Sequence, residues 1–212
     1  MTKKIVANVG IGLGLLALVF LIQLNGASLM FKTVNIWTLL YMVIIFVSLT
    51  WVLLRISRHR ELRLVTNRLT PQMVLGAVLL ALILTASAIG LALFLPSEHG
   101  SNQFISYHFL SNDRRLVLVT FVTINLTGPA LEELLFRGLI LQFISKISHS
   151  AVIGLLISTA LFTYLHNGQL FDPIYLLSGL GFGYLFFRTK NIGAAIICHQ
   201  LVNILATIQL FL

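Results

Sequence analysis

The sequence predicts an all-α protein, a polytopic transmembrane bundle of about seven helical spans with its N-terminus inside the cell. Apolar residues make up 58% of the chain and charged residues only 9%, whereas soluble domains average about 45–50% and 25%. Several apolar runs are long enough to cross a bilayer, and short polar segments separate them. Basic residues gather in alternate segments, which is the pattern of a membrane protein of fixed orientation.

The composition also limits the functional classes. A net charge of +8 could indicate nucleic-acid binding, but the basic residues lie mainly between the apolar runs, where they orient helices in a membrane. We therefore expect no nucleic-acid partner and a lipid bilayer as the environment. The single cysteine, Cys198, excludes an internal disulfide bond, and its place in an apolar run is typical of a packed thiol.

The first apolar run comprises residues 5–24 and directly follows Lys3 and Lys4. A secretory signal peptide is the rival interpretation, but its apolar region usually has about 7–15 residues and ends in small residues. This run is longer, and residues 25–27 match a cleavage site poorly. The pattern favours a retained transmembrane helix.

The second and third spans flank a basic loop. Residues 36–54 form the second span, with Trp37 and Trp51 near its ends as interfacial anchors. The third span runs from Pro71 to about residue 95. Proline is well tolerated in the first turn of a helix, where its missing N–H would have no partner within the helix. The loop between the two spans has the composition of a cytoplasmic loop, with five arginines and one acid: Arg55, Arg58, Arg60, Glu61, Arg63 and Arg68.

The fourth span, residues 116–144, carries two adjacent glutamates, Glu132 and Glu133. It is longer than the ~20 residues that cross a bilayer upright. Gly128 and Pro129 stand just before the glutamates. Because proline removes a backbone hydrogen bond and kinks a helix, we expect a break or bend there that presents the glutamates to a cavity.

The fifth span, residues 151–166, ends just before Gly168, and the sixth begins at Pro173. Glycine after the last helical turn and proline in the first turn are ordinary stop and start signals. The sixth span contains Gly179 and Gly183, and small residues four apart let two helices pack closely.

The seventh span comprises residues 192–211. We divide the chain into residues 1–115, three N-terminal helices with the basic cytoplasmic loop, and residues 116–212, a core of four helices that carries the two glutamates. With the N-terminus inside, the inner segments carry ten lysines and arginines and the outer segments three, so the positive-inside rule favours this orientation.

The acidic motif needs a special explanation, because Glu132, Glu133 and Arg137 lie within an apolar segment. Each charge at membrane depth costs roughly 2.5–3.5 kcal/mol on insertion scales. Glu133 and Arg137 are four residues apart and can pair on one helix face, which indicates a structural ion pair. Glu132 points about 100° away from Glu133, so the two glutamates need not share a role, and we expect Glu132 to act in an intramembrane active site.

Four polar side chains could converge on that site from three spans. At a rise of about 1.5 Å per residue, they lie at similar depths in the bilayer: Glu132, His166, His199 and Asn203. A carboxylate, two imidazoles and an amide suit hydrolysis. The carboxylate can deprotonate water, one imidazole can orient that water, and the other imidazole and the amide can stabilise an oxyanion.

A catalytic zinc site is the alternative. Glu132, His166 and His199 could supply three protein ligands and leave the fourth position to water. The spacing does not separate the two mechanisms, although the H-E-x-x-H signature of soluble zinc proteases is absent. The cofactor prediction is therefore either none or zinc.

Residues 116–212 resemble the CPBP family, the CAAX proteases and bacteriocin-processing enzymes. The resemblance lies in three motifs that occur in the family's order on three apolar spans: Glu132-Glu133-x-x-x-Arg137, Phe162-x-x-x-His166 and His199-x-x-x-Asn203. Each motif alone is weak, but the ordered set is specific. The first three spans carry no motif of the family.

The resemblance implies a role for each motif residue. Glu132 would be the catalytic base, with His166 beside it activating water, and His199 with Asn203 would hold the oxyanion. Glu133 and Arg137 would be a supporting pair, and Phe162 would pack in the wall of the site. The resemblance leaves the requirement for a metal open.

The expected function is therefore that of an intramembrane endopeptidase in a bacterial plasma membrane. Its substrate would be a peptide leader, a bacteriocin or a segment of a membrane protein, and a prenylated substrate is not implied. One alternative is an inactive immunity or regulatory protein that binds a toxin or a membrane partner. A transporter with a buried proton relay is another, although no inverted repeat is recognisable in the sequence.

Overall fold

The structure, a computed structural model, describes residue 14 and residues 35–59, 62–64, 67–94 and 108–211. Helices contain 84% of these residues, and no β-strand occurs among them. The predicted all-α class and helical membrane bundle are confirmed. The predicted first span, residues 5–24, lies outside the described residues apart from residue 14.

Six long helices follow one another in the described part of the chain: α1 Ile36–His59, α2 Pro71–Ala92, α3 Arg114–Ser148, α4 Ala151–Asn167, α5 Pro173–Thr189 and α6 Ile192–Gln209. Within these residues, α1, α2, α3 and α6 are long and apolar enough to cross a membrane. They correspond to the predicted second, third, fourth and seventh spans.

The predicted fifth and sixth spans are shorter helices. Both α4 and α5 have 17 residues, which gives each a length of about 25 Å at 1.5 Å per residue. The hydrocarbon core of a bilayer is about 30 Å thick. These helices are therefore slightly shorter than an upright span, and α4 ends one residue beyond the predicted end of the fifth span at residue 166.

The short connections between helices use the expected local signals. Pro71 and Pro173 occupy first turns, and Gly168 closes α4 with a left-handed backbone at φ +66°. In five helices, a backbone N–H of the first turn donates to the side-chain oxygen of the residue just before the helix. These capping residues are Thr70, Asp113, Ser150, Asp172 and Asn191.

The predicted break at Gly128-Pro129 is not an interruption of α3, which runs continuously for 35 residues. Gly128 has helical dihedral angles, φ −56° and ψ −60°. A π-helical turn, Thr123–Thr127, precedes it, and the Gly128 N–H donates to the carbonyl of Thr123, five residues earlier. A second π-helical segment, Leu134–Leu141, follows the glutamates. The wider turns absorb the proline without ending the helix.

Close packing of α4 against α5 depends on the two predicted glycines. A Cβ atom at Gly179 would lie 2.9 Å from Cγ2 of Thr159, and one at Gly183 would overlap the side chain of Leu155. The small-residue surface predicted on the sixth span is thus confirmed. The buried core lies between these helices, α6, the central part of α3 and the facing sides of α1 and α2.

The loop between α1 and α2 lies against the turn between α5 and α6. The Ile192 N–H donates to the carbonyl of Leu64 at 2.9 Å, and the Asn191 amide donates to the carbonyl of Asn67 at 2.8 Å. The Arg63 N–H also donates to Gln142 near the end of α3 at 3.0 Å. The segments predicted to be cytoplasmic therefore share one end of the bundle.

Candidate active site

The two glutamates lie on the short α-helical stretch between the π-helical segments of α3 and face different surroundings. The Glu133 side chain is 0% exposed, whereas the Glu132 side chain is 23% exposed. Consecutive residues on a helix point about 100° apart, so one carboxylate is in the core and the other at an accessible site. The predicted separation of their roles is consistent with this arrangement.

Glu133 pairs with Arg137, as the spacing predicts. The Arg137 guanidinium donates to Oε1 of Glu133 at 2.8 Å and to the carbonyl of Gly179 at 2.9 Å. It also lies over aromatic rings, with centroid distances of 4.7 Å to Phe162 and 5.3 Å to Phe182. A buried charge is tolerated only when it is paired and hydrogen-bonded, and this pair meets both conditions.

His199 connects the two glutamates, a contact that the sequence analysis did not predict. Its Nδ1 lies 2.9 Å from Oε1 of Glu133, and its Nε2 lies 3.8 Å from Oε2 of Glu132. The imidazole is stacked on Phe182, with centroids 4.4 Å apart and planes 20° apart. Glu133 therefore orients an imidazole in addition to forming the expected ion pair.

His166 approaches Glu132 from the last turn of α4. Its Nε2 lies 3.4 Å from Oε2 of Glu132, and its Nδ1 lies 2.8 Å from the backbone carbonyl of Phe162. The imidazole contacts the ring of Phe162 at 4.2 Å and the ring of Tyr175, on α5, at 5.0 Å. The structure thus brings together three of the four predicted catalytic side chains, Glu132, His166 and His199.

The partners of the two imidazoles define which ring nitrogens carry protons. A backbone carbonyl only accepts hydrogen bonds, so Nδ1 of His166 is the protonated nitrogen. Nδ1 of His199 faces the Glu133 carboxylate and is protonated for the same reason. Each Nε2 therefore faces Glu132 with a lone pair when its ring is neutral, and donates a proton only as an imidazolium.

Asn203 lies one turn after His199 and bonds to the π-helical turn that precedes the glutamates. Its amide nitrogen donates to the carbonyl of Ile124 at 2.9 Å. In the π-helical register this carbonyl would bond to the N–H of residue 129, which is a proline and has none. Asn203 therefore satisfies the carbonyl that Pro129 leaves free, with one of its two amide hydrogens. Its expected role at an oxyanion remains a prediction.

Two further side chains of α6 bond to the same turn. The Gln200 amide donates to the carbonyl of Leu126 at 3.0 Å, and the Thr207 hydroxyl donates to Oδ1 of Asn125 at 3.0 Å. The sequence analysis missed Gln200. Its position, three residues before Asn203, could have indicated a shared helix face. These bonds hold α6 against the segment that carries Glu132.

The aromatic and glycine contacts from α5 were also missed. Tyr175 contacts His166, Gly179 accepts from Arg137, and Phe182 stacks on His199. Residues 175, 179 and 182 lie at the helical spacings of four and seven, so they share one face. That face includes Gly179, which the sequence predicted to pack closely against another helix. This glycine was the signal that could have indicated the contacts of α5.

The three predicted zinc ligands lie in one cluster, and their binding of a metal stays a prediction. Oε2 of Glu132 lies 3.4 Å and 3.8 Å from the two imidazole nitrogens, and two ligand atoms of one tetrahedral zinc ion have a similar separation of roughly 3.3 Å. Within the described ranges, no group of three or more His, Cys, Asp and Glu side chains is arranged to hold a metal ion. The arrangement also suits a water molecule that bridges the carboxylate and an imidazole.

Comparisons with known proteins agree with the resemblance seen in the motifs. Residues 114–205 match the family described as Type II CAAX prenyl endopeptidase Rce1-like. The membrane-embedded CAAX protease MroQ of Staphylococcus aureus (strain USA300) is 32% identical over 92 residues, which cover 41% of this chain and 36% of that protein. The chain thus aligns with about a third of its relative. No solved structure matches the chain significantly.

Proposed function

We propose that the chain is an intramembrane endopeptidase of the CAAX protease (CPBP) family, because residues 114–205 match the Rce1-like CAAX prenyl endopeptidase model. It hydrolyses a peptide bond of a membrane-associated or peptide substrate. The observation that carries the proposal is the position of Oε2 of Glu132, 3.4 Å and 3.8 Å from the Nε2 atoms of His166 and His199. These three side chains stand within an apolar helical bundle, where ionisable groups mark functional sites.

Glu132 acts as the general base. A water molecule between Oε2 of Glu132 and Nε2 of His166 gives a proton to the carboxylate while its oxygen forms a bond to the carbonyl carbon of the scissile peptide. Both groups are 23% exposed, so water and substrate can reach them. His166 orients the water, because its Nδ1 is committed to the carbonyl of Phe162 and only Nε2 faces the site.

His199 stabilises the negative charge that develops on the carbonyl oxygen. As an imidazolium it donates from Nε2, while Glu133 accepts from its Nδ1 and balances its charge. Arg137 donates to the same carboxylate in the 2.8 Å ion pair. The second amide hydrogen of Asn203 provides a further donor. Collapse of the tetrahedral intermediate breaks the carbon–nitrogen bond, and the leaving amine takes the proton from Glu132.

The class of substrate and the membrane location are both inferred from the apolar helices that surround the site. The described helices are apolar enough to place the site in a bilayer, so the scissile bond belongs to a peptide or a membrane-protein segment that reaches this depth. We propose a multi-pass protein of the plasma membrane. A peptide leader, a bacteriocin or a membrane-protein segment fits the site equally well, and no nucleic acid is involved.

A zinc-dependent form of the reaction is the alternative mechanism, with Glu132, His166 and His199 as the ligands. Elemental analysis of the detergent-purified protein separates the two forms. Near-stoichiometric zinc that is lost in both His166→Ala and His199→Ala would support the metalloenzyme. Metal-free protein that retains full hydrolytic activity would support the glutamate mechanism.

The activity itself is tested by comparing membrane-protein termini in cells that carry the wild type and in cells that carry Glu132→Gln at matched abundance. New termini that appear only with the wild type would establish proteolysis and identify the cleaved bond. Identical terminus profiles, with an intact immunity or resistance phenotype in Glu132→Gln cells, would instead support a non-catalytic protein that binds a partner.

A further inference from the structure

His166 and His199 differ in how firmly the protein holds them. The ring of His199 is buried, stacked on Phe182 at 4.4 Å and bonded through Nδ1 to the buried Glu133. The ring of His166 is 23% exposed and lies in the last turn of α4, two residues before the left-handed Gly168. Helix ends fray more easily than helix centres, so His166 needs support from outside its own helix.

Only some of the support for His166 comes from α4. Phe162 provides a carbonyl for Nδ1 at 2.8 Å and a ring at 4.2 Å, but Phe162 belongs to the same helix and would move with it. Glu132, on α3, lies 3.4 Å from Nε2, and the ring of Tyr175, on α5, lies against the imidazole with centroids 5.0 Å apart and planes 35° apart. Tyr175 is therefore placed to restrict the imidazole relative to the rest of the bundle.

Tyr175 is itself fixed at the start of α5. Its backbone N–H donates to Oδ1 of Asp172 at 3.2 Å, and that carboxylate is buried, with 5% of the residue exposed. The same carboxylate caps Ile174 at 2.9 Å. An aromatic side chain has only two rotatable bonds and loses little entropy when it is held. The start of α5 thus provides a rigid ring against the end of α4.

We infer that Tyr175 is a positioning residue of the reaction: its ring holds the His166 imidazole with Nε2 towards Glu132. This inference rests on the proposed function for its catalytic consequence, but the orientation of His166 can be measured without a substrate. Tyr175 contacts the imidazole through its ring, so phenylalanine preserves the effect and leucine removes it.

The first readout is the tautomer of His166 in protein labelled with ¹⁵N in the histidine rings and purified in detergent micelles. Loss of one signal set in His166→Gln assigns the ring. At a pH high enough to leave the ring neutral, we expect a single Nδ1–H tautomer in the wild type and in Tyr175→Phe, and averaged nitrogen signals in Tyr175→Leu. A wild-type His166 spectrum in Tyr175→Leu would overturn the inference, as would averaged signals in Tyr175→Phe.

The second readout is the rate at which wild-type-dependent termini appear in cells at matched protein abundance. We expect Tyr175→Leu to lower this rate by about tenfold to a hundredfold, since small misplacements of catalytic groups have such effects, and Tyr175→Phe to restore it. Tyr184→Leu is the matched control, because Tyr184 lies on the same helix with 57% of its surface exposed. Equal rates in Tyr175→Leu and Tyr184→Leu would contradict the inference.

The two readouts also separate this inference from the proposed function. If the wild type produces no termini beyond those of Glu132→Gln, the proposed protease activity fails, while the His166 spectra still decide whether Tyr175 positions the ring. If the wild type cleaves and Tyr175→Leu cleaves equally fast, the inference fails and the protease activity stands.

Discussion

Neighbouring glutamates have different surroundings here because one residue along a helix changes the whole environment. Glu133 points into the core, where its Oε1 accepts from both Arg137 and His199. Glu132 points towards the exposed side, where two imidazole Nε2 atoms face it. The first carboxylate is committed to holding other groups. The second remains available to accept a proton from water.

Substitution of Arg137 tests the structural role of its ion pair with Glu133. Its loss leaves Glu133 as a buried charge without its ion-pair partner, and breaking a buried pair costs about 3–5 kcal/mol. We expect Arg137→Met to lower the melting temperature in detergent strongly, whereas Arg188→Met, at an exposed position, leaves it nearly unchanged. Equal melting temperatures for the two variants would show that the ion pair contributes little.

The sequence predicted which side chains lie close together better than the bonds between them. Spacing on one helix was sufficient to pair Glu133 with Arg137, because residues four apart must be neighbours. The contact of Glu133 with His199 joins residues 66 apart in sequence, and it depends on how α6 packs against α3. No pattern within one helix contains that information.

At the scale of elements, the π-helical turn before the glutamates links Pro129 to Asn203. Pro129 leaves the carbonyl of Ile124 without its π-helical donor, and the Asn203 amide supplies one at 2.9 Å. The sequence indicated an irregularity at the proline but not its form, because a proline can be absorbed by a break, a bend or a wider turn.

This link predicts a specific coupling between two substitutions. Asn203→Ala should destabilise the protein by about 1–3 kcal/mol, the cost of an unsatisfied buried polar group. In a Pro129→Ala background the new N–H can bond to the free carbonyl, so the cost of Asn203→Ala should shrink. Melting temperatures of the four proteins in one detergent test this prediction. Additive effects of the two substitutions would contradict it.

The contact between α4 and α5 provides a second test at this scale. Alanine at Gly183 would overlap Leu155, and alanine at Gly179 would press on Thr159 and disturb the carbonyl that binds Arg137. We expect each substitution to destabilise the protein by about 1–3 kcal/mol. The control is Gly76→Ala, where a Cβ atom meets nothing within 4 Å. A similar melting temperature for all three variants would contradict this explanation.

At the scale of the whole molecule, charge and packing agree on which segments lie together. The basic loop, the end of α3 and the turn between α5 and α6 are joined by hydrogen bonds at one end of the bundle. The sequence predicted this grouping because the basic residues alternate with the spans. It also predicted the shortness of α4, since the fifth span was expected at residues 151–166 and α4 is Ala151–Asn167.

The orientation in the membrane can be measured directly. In a Cys198→Ser background, Leu170→Cys lies between α4 and α5 at the end opposite the basic segments, and Lys146→Cys lies near the end of α3. We expect an impermeant maleimide to label Leu170→Cys in intact cells and Lys146→Cys only after permeabilisation. The reverse result would overturn the predicted orientation, in which the basic segments are cytoplasmic.

The most direct test of Glu132 as the catalytic base is the effect of Glu132→Gln on cleavage by the purified protein. The substrate is a peptide that carries the bond identified from the wild-type termini, and Gln142→Ala on the same helix controls for substitution within α3. We expect Glu132→Gln to slow cleavage by about a thousandfold, which is within the range of general-base catalysis. The melting temperature of the variant should be unchanged. Cleavage by Glu132→Gln within tenfold of the wild-type rate would contradict the assignment of Glu132 as the catalytic base.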